Sequence, residues 1–131
     1  MASLKYELQK AIYARLTTYP ALAGVKVYDR PPADIPYRYI TIGEADVHND
    51  EVACKRAWRV YIQIDAWSDK PGYPEVNEWA YNIEEALHHF PLNLPSFRLI
   101  DITHTSTPNT RAPDGLISHA MCEFLARVEA L

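Results

Sequence analysis

Apolar residues recur at every fourth position near the start of the chain: Leu4, Leu8, Ile12 and Leu16, with Ala11 beside them. That spacing gathers them on one stripe of a helix and leaves Lys5, Lys10 and Arg15 on other faces. Ser3 stands where an N-cap belongs, and TTYPALAG, with Pro20 and Gly24, closes the helix. VKVYD, residues 25 to 29, reads as a short strand. RPPADIPY follows, and Pro31, Pro32 and Pro36 make it a stiff extended connector without ladder donors. In YRYITIGEA, Tyr37, Tyr39 and Thr41 alternate with Ile40 and Ile42, so a second strand is predicted with its isoleucines facing the core. DVHNDEVACKR is too polar to be core.

The clearest strand is AWRVYIQIDAW. Trp58, Val60, Ile62, Ile64 and Ala66 fall on one face, and Arg59, Tyr61, Gln63, Asp65 and Trp67 on the other. Pro74 suits the first position of a second helix. Its buried stripe is Val76, Trp79, Ala80, Ile83, Leu87 and Phe90, and Pro91 ends it. FRLIDITHTST and GLISHAMCEFLARVEA are two long strands joined through PNTRAPDG, where Asp114 and Gly115 suit a turn with positive φ. The order is α-β-β-β-α-β-β. Strands joined by turns favour an α+β fold, an antiparallel β-sheet with two α-helices packed on one face. No repeat or linker divides the chain, so residues 1–131 form one domain.

Composition narrows the partners. A chain of 131 residues buries roughly two-thirds of its unfolded surface, and 48% hydrophobic with 23% charged residues is ordinary for a soluble globular protein. The net charge is −4 and the pI about 5.7, with Lys and Arg scattered. Phosphate-gripping proteins carry a basic stripe instead, so affinity-bearing contact with nucleic acid is disfavoured. Cys54 and Cys122 form no CxxC pair and read as free thiols, with one disulfide between them left open. The N-terminus has charges at every turn and no signal-peptide core. No apolar run approaches the ~18 residues of a membrane span, and a soluble start in the cytoplasm is expected.

Four acids, Asp65, Asp69, Glu75 and Glu78, gather around the junction between the clearest strand and the second helix. A hard-cation loop would need oxygens converging in a D-x-[DN]-x-[DN]-G pattern, which DAWSDKPGYPE lacks. Asp69 with Pro71 and Gly72 is turn chemistry, and Glu75 and Glu78 suit the first helical turns. His88 and His89 fall in the last turn, about 100° apart, and cannot share a metal as an i, i+4 pair does. His104 and His119 could face each other across a hairpin. Ser118 and His119 point to opposite faces of a strand, wrong for a nucleophile and its base. GxSxG, Walker, GxGxxG and HExxH motifs are absent, so no catalytic residue, metal or cofactor is expected. Nine tyrosines and three tryptophans remain to be explained. Tyr37, Tyr39, Tyr61 and Trp67, set opposite the core isoleucines, are either half-exposed cross-strand partners or, with Arg59 among them, a surface covered by another chain.

LQKAIYARLTTYPALAGVKVYDRPPADIPYRYITIGEAD followed by VYIQIDAWSDKPGYPEVNEWAYNIEEALH resembles the tail-completion or tail-terminator family of long-tailed phages and phage-derived gene transfer particles. The features are the first helix, VYDRPP before PYRYITIG, DAWS leading into a helix with AYNIEEAL, and a late Asp-Gly before the closing strand. Their order and spacing, over about Leu4 to Val128, carry the likeness. The resemblance implies a non-enzymatic virion protein that assembles in the host cytoplasm as a hexameric ring on the head-proximal end of the tail tube. Such a ring stops tube growth and offers a surface to the head-tail connector or stopper protein. Relatives often carry glycine after GEAD, whereas VHNDEVACKR has none, which points to longer ordered strands reaching outward. A ring needs one surface of a protomer to meet a different surface of its neighbour. Arg59, Tyr61, Gln63 and Asp65 are expected on one side of that contact. The hairpin from Asp46 to Arg56, with His48, Asp50 and Glu51, is expected to meet the tube or the next ring. Acid excess suits a lumen through which DNA slides without specific binding. Two other readings stay open: a head-side neck adaptor, and a ligand-binding or enzymatic α+β domain using the aromatics with His104 and His119.

Overall fold

The computed structural model describes residues 3–31, 33–34, 36–111 and 115–131; Pro32 of the connector and Asp114 of the expected turn lie outside them. Helix α1 spans Leu4–Thr18, and the Ser3 hydroxyl accepts the Tyr6 N–H at 3.5 Å as its cap. Leu4, Leu8, Ile12 and Leu16 are all buried, each contributing about 1.5–3 kcal/mol by leaving water. A 3₁₀ turn, Pro20–Leu22, leads to β1, Lys26–Tyr28. Strands β2 (Tyr39–Asn49) and β3 (Ala57–Ser68) form a long hairpin, and α2 follows over Pro74–Leu87. Then come β4 (Phe97–Ser106), β5 (Asn109–Arg111) and β6 (Ser118–Ala130).

The sheet runs β1-β2-β3-β6-β4, with β5 on the far end of β6. It is α+β with the helices on one face, but two points differ from the expected order. β1 joins β2 in parallel, so the sheet is mixed. The segment expected to be a plain turn also contributes β5, paired with Asn109 opposite Ala120.

Alternation decides which side is core. Val60, Ile62, Ile64 and Ala66 of β3 line up with Ala126, Phe124, Cys122 and Ala120 of β6, and all eight are buried beneath the helices. Arg15 binds the two helices together: its Nε donates to the Ala86 carbonyl at 2.8 Å and its guanidinium lies 3.6 Å over Phe90. Glu7, also buried, accepts the Ser96 N–H at 2.9 Å and ties α1 to the approach to β4.

Helix α2 stops earlier than its pattern predicts. His88 is extended and His89 has φ 59°, so neither histidine lies in the last helical turn. Both are recruited by β4: the His89 N–H donates to the Ile102 carbonyl at 2.7 Å, and His88 Nδ1 accepts the His104 N–H at 2.9 Å. These bonds occupy donors and acceptors on the outer edge of β4, which an exposed edge would offer to any passing strand.

Candidate interface on the open sheet face and its hairpin

The face of the sheet turned away from the helices is set by the other half of each alternation. Across β2, β3 and β6 it carries Thr41, Asp65 and Met121 in one row, Asp46, Tyr61 and Leu125 in another, and His48, Arg59 and Arg127 in a third. A bulge in β2 between Ile42 and Ala45 restores this alternation after one shifted step. Gly43 sits in the bulge, where a Cβ would lie 2.9 Å from both Asp65 Oδ2 and the Gln63 carbonyl. Only a residue without a side chain leaves that space to the Asp65 carboxylate.

Asp65 is only 6% exposed. Its Oδ1 accepts His119 Nε2 and Gln63 Nε2, each at 2.7 Å. Asp65 therefore lies beneath the surface and orients Gln63 and His119. His119 in turn stacks on Trp67, whose Nε1 donates to Thr41 Oγ1 at 3.1 Å. Tyr37 continues the aromatic row, 6.1 Å from Trp67 and stacked 5.7 Å from Tyr39, which meets Tyr28 edge-on. Tyr39 was expected to be half-exposed or covered by another chain, and instead these neighbours of its own chain bury it. His104 and His119 do not meet: Phe124 lies opposite His104, and Trp67 and Thr110 flank His119.

The expected site residues divide between the face and the hairpin. Arg59 donates from Nη1 to the Tyr61 hydroxyl at 3.2 Å, and its Nε lies 3.6 Å from Asp50 Oδ1. Arg127 reaches the other Asp50 oxygen at 3.7 Å, so Asp50 bridges two strands. Asp46 pairs with His48 at 2.8 Å, and Glu51 with Arg56 at 3.8 Å. Residues 50–56 run past the last rung of β3, Ala57 opposite Glu129, and close through a Val52–Lys55 bridge. The hairpin's strands run out to Asn49 and back from Ala57, long as the lack of glycine suggested. Val52 at its tip is 69% exposed; Cys54 is exposed and Cys122 buried, and both are free. Burial pushes the Cys122 thiol up to about 12.

The four acids of the strand-helix junction do not converge. Asp65 belongs to the open face, while Asp69 and Glu78 are exposed. Glu75 is the hub of the junction: Arg38 grips it through two hydrogen bonds at 2.9 and 2.7 Å, Ser68 Oγ donates at 2.6 Å, and Lys70 lies at 3.3 Å. The Arg38 hydrogen bond, aided by Ser68 and Lys70, lowers its carboxyl to about 2 despite partial burial. Among the described residues, no group of three or more His, Cys, Asp or Glu side chains could hold a metal ion, and no helix is long and apolar enough to cross a membrane.

The arrangement is a polar and aromatic surface with a projecting hairpin at one end. The profile of tail completion protein gp17 matches residues 10–129. The chain belongs to that family of phage tail proteins. It is also similar to a chain in the solved structure "Virion of native gene transfer agent (GTA) particle", with 25% identity, a TM-score of 0.88, and coverage of 99% of this chain and 100% of that one. Comparison with curated proteins gives no match.

Proposed function

We propose that this chain is a tail terminator: it forms a ring, most simply a hexamer, on the head-proximal end of the finished tail tube. The ring stops tube polymerisation and offers its other side to the head-tail connector. The observation that carries this reading is the bare face of the sheet. A half-polar surface made rigid by Asp65, His119 and Gln63, with Tyr61 42% exposed on it, is suited to burial against another chain. Arg59, Tyr61 and Gln63, with Asp65 as their support, form one side of the protomer contact. Asp46 stands on the same face opposite Tyr61, and the hairpin residues beyond it, His48, Asp50, Glu51 and Arg56, reach toward the tube or the next ring.

Assembly takes place in the host cytoplasm before the tail joins the head. A net charge of −4 lets DNA pass the lumen without being held, because counterion release favours binding only where cations neutralise phosphates. The protein acts by shape and self-association, and no catalytic step is assigned to it.

Particles lacking this chain test the role. A terminator's loss gives overlong or ragged tails. Finished tails of normal length, unattached to heads, would instead assign the chain to the neck adaptor position.

A further inference from the structure

Carboxylates and lysines without an ion-pair partner lie on opposite sides of the molecule. On the open sheet face, Glu44, Asp46 and Glu123 surround a hollow of about 360 Å³ beside Tyr61 and Gln63. Among the described residues none of these three carboxylates has a lysine or arginine partner: Asp46 holds His48, and Glu123 accepts the Ser106 hydroxyl. The opposite layer presents the reverse. Tyr6, Lys10 and Tyr13 stand at i, i+4 and i+7 on the side of α1 turned away from its buried stripe. The two tyrosines are 57% and 48% exposed. Lys10 has no carboxylate partner among the described residues and rests 5.4 Å over the Tyr6 ring; Lys5, at the edge of this face, forms no ion pair but lines a separate hollow with Glu44 of its own chain. The acid of this helix, Glu7, is buried, so its outer surface exposes lysines and tyrosines but no carboxylate.

We propose that the open sheet face of one copy stacks on the outward Tyr6–Lys10–Tyr13 face of α1 in the next copy, with a lysine entering the hollow among Glu44, Asp46 and Glu123. This inference rests on the ring reading and names the surface that the sheet face meets. A two-fold contact would set carboxylates against carboxylates, or lysines against lysines. A heterologous contact sets opposite charges together, and repeated around an axis it closes a ring. Tyrosines from both partners supply the apolar part of the contact, as at other protein interfaces.

Charge reversal on each side tests the contact, read by light scattering and negative-stain imaging over a range of concentrations. The variants are Lys5→Glu with Lys10→Glu, Asp46→Lys with Glu123→Lys, and all four together. Lys5, Lys10 and Asp46 are exposed and Glu123 is half-buried, and unchanged thermal melts identify folded variants; a variant that melts early is replaced by Lys10→Gln or Asp46→Asn. Each one-sided variant is expected to need at least tenfold more protein for half-assembly, the four-fold variant to recover, and wild-type assembly to weaken with salt. One-sided variants that assemble like wild type would overturn the sheet-to-helix contact and leave the ring standing. A wild-type chain that stays monomeric at every concentration and never binds tube ends would remove the ring itself.

Discussion

Trp67 and His119 stack their rings 3.7 Å apart and 10° from parallel, on strands β3 and β6 that have α2, β4 and β5 between them in the chain. The imidazole is fixed from its other side by Asp65 at 2.7 Å. One carboxylate thus sets the positions of two part-buried groups, His119 and Gln63, on a face that has no helix over it.

Asp65→Ala is expected to cost about 2–3 kcal/mol, because it leaves Gln63 and His119 without their shared acceptor in a desolvated place. Asp69→Ala, at an exposed position, is expected to fall within about 0.5 kcal/mol of wild type. Urea denaturation of the two variants measures the difference, and equal losses would contradict the structural role of Asp65.

Gly43→Ala is expected to destabilise by about 1–3 kcal/mol, the range for forcing extra atoms into a packed site. The added carbon would meet the Gln63 carbonyl at 2.9 Å, and that oxygen is backbone. The check is again the denaturation midpoint, with Gly115→Ala as a comparison whose added carbon meets nothing within 4 Å but whose φ of 74° is strained.

Acid should weaken the strand-helix junction in a defined window. Glu75 has a folded value of about 2, below its ordinary 4.5. Its contribution is therefore complete above about 4.5 and is lost as pH falls from there toward about 2. Glu75→Gln removes the charge that Arg38, Ser68 and Lys70 surround, at a cost of about 2 kcal/mol near neutral pH. Plotting stability of both proteins against pH tests the sign: the two curves converge as the solution becomes acidic.

The two thiols should react at very different rates. Cys54 is exposed on the hairpin, and Cys122 is buried with its thiol near 12. A thiol reagent at pH 8 is expected to modify one cysteine per folded chain quickly and the second only on unfolding. Rapid loss of both would contradict the packing of β6 under α2.

Much of this fold could be read from period alone. The i, i+4 stripe of α1 and the alternation of β3 each identify their own buried face, because a helix or strand half in contact with the core must repeat that way. Ser3 and Pro74 marked helix starts through local chemistry that needs no tertiary partner. What period could not show was pairing between distant segments. Nothing local makes β1 run parallel to β2, or buries Tyr39 beneath Tyr28 and Tyr37. The end of α2 was misplaced because His88 and His89 answer to β4, across a loop, and not to their own helix. The candidate interface was legible as a set of polar and aromatic positions on one strand. Asp65 was the exception, since its partner His119 and the gap over Gly43 come from β6 and β2.

The most direct test of the account is a capping reaction. Tail-tube protein is polymerised with increasing amounts of this chain, and tube lengths are measured by electron microscopy. The account predicts tubes that shorten as the chain is added, each closed at one end by a ring of it. Tubes that grow to the same lengths with bare ends, at every ratio, would contradict it.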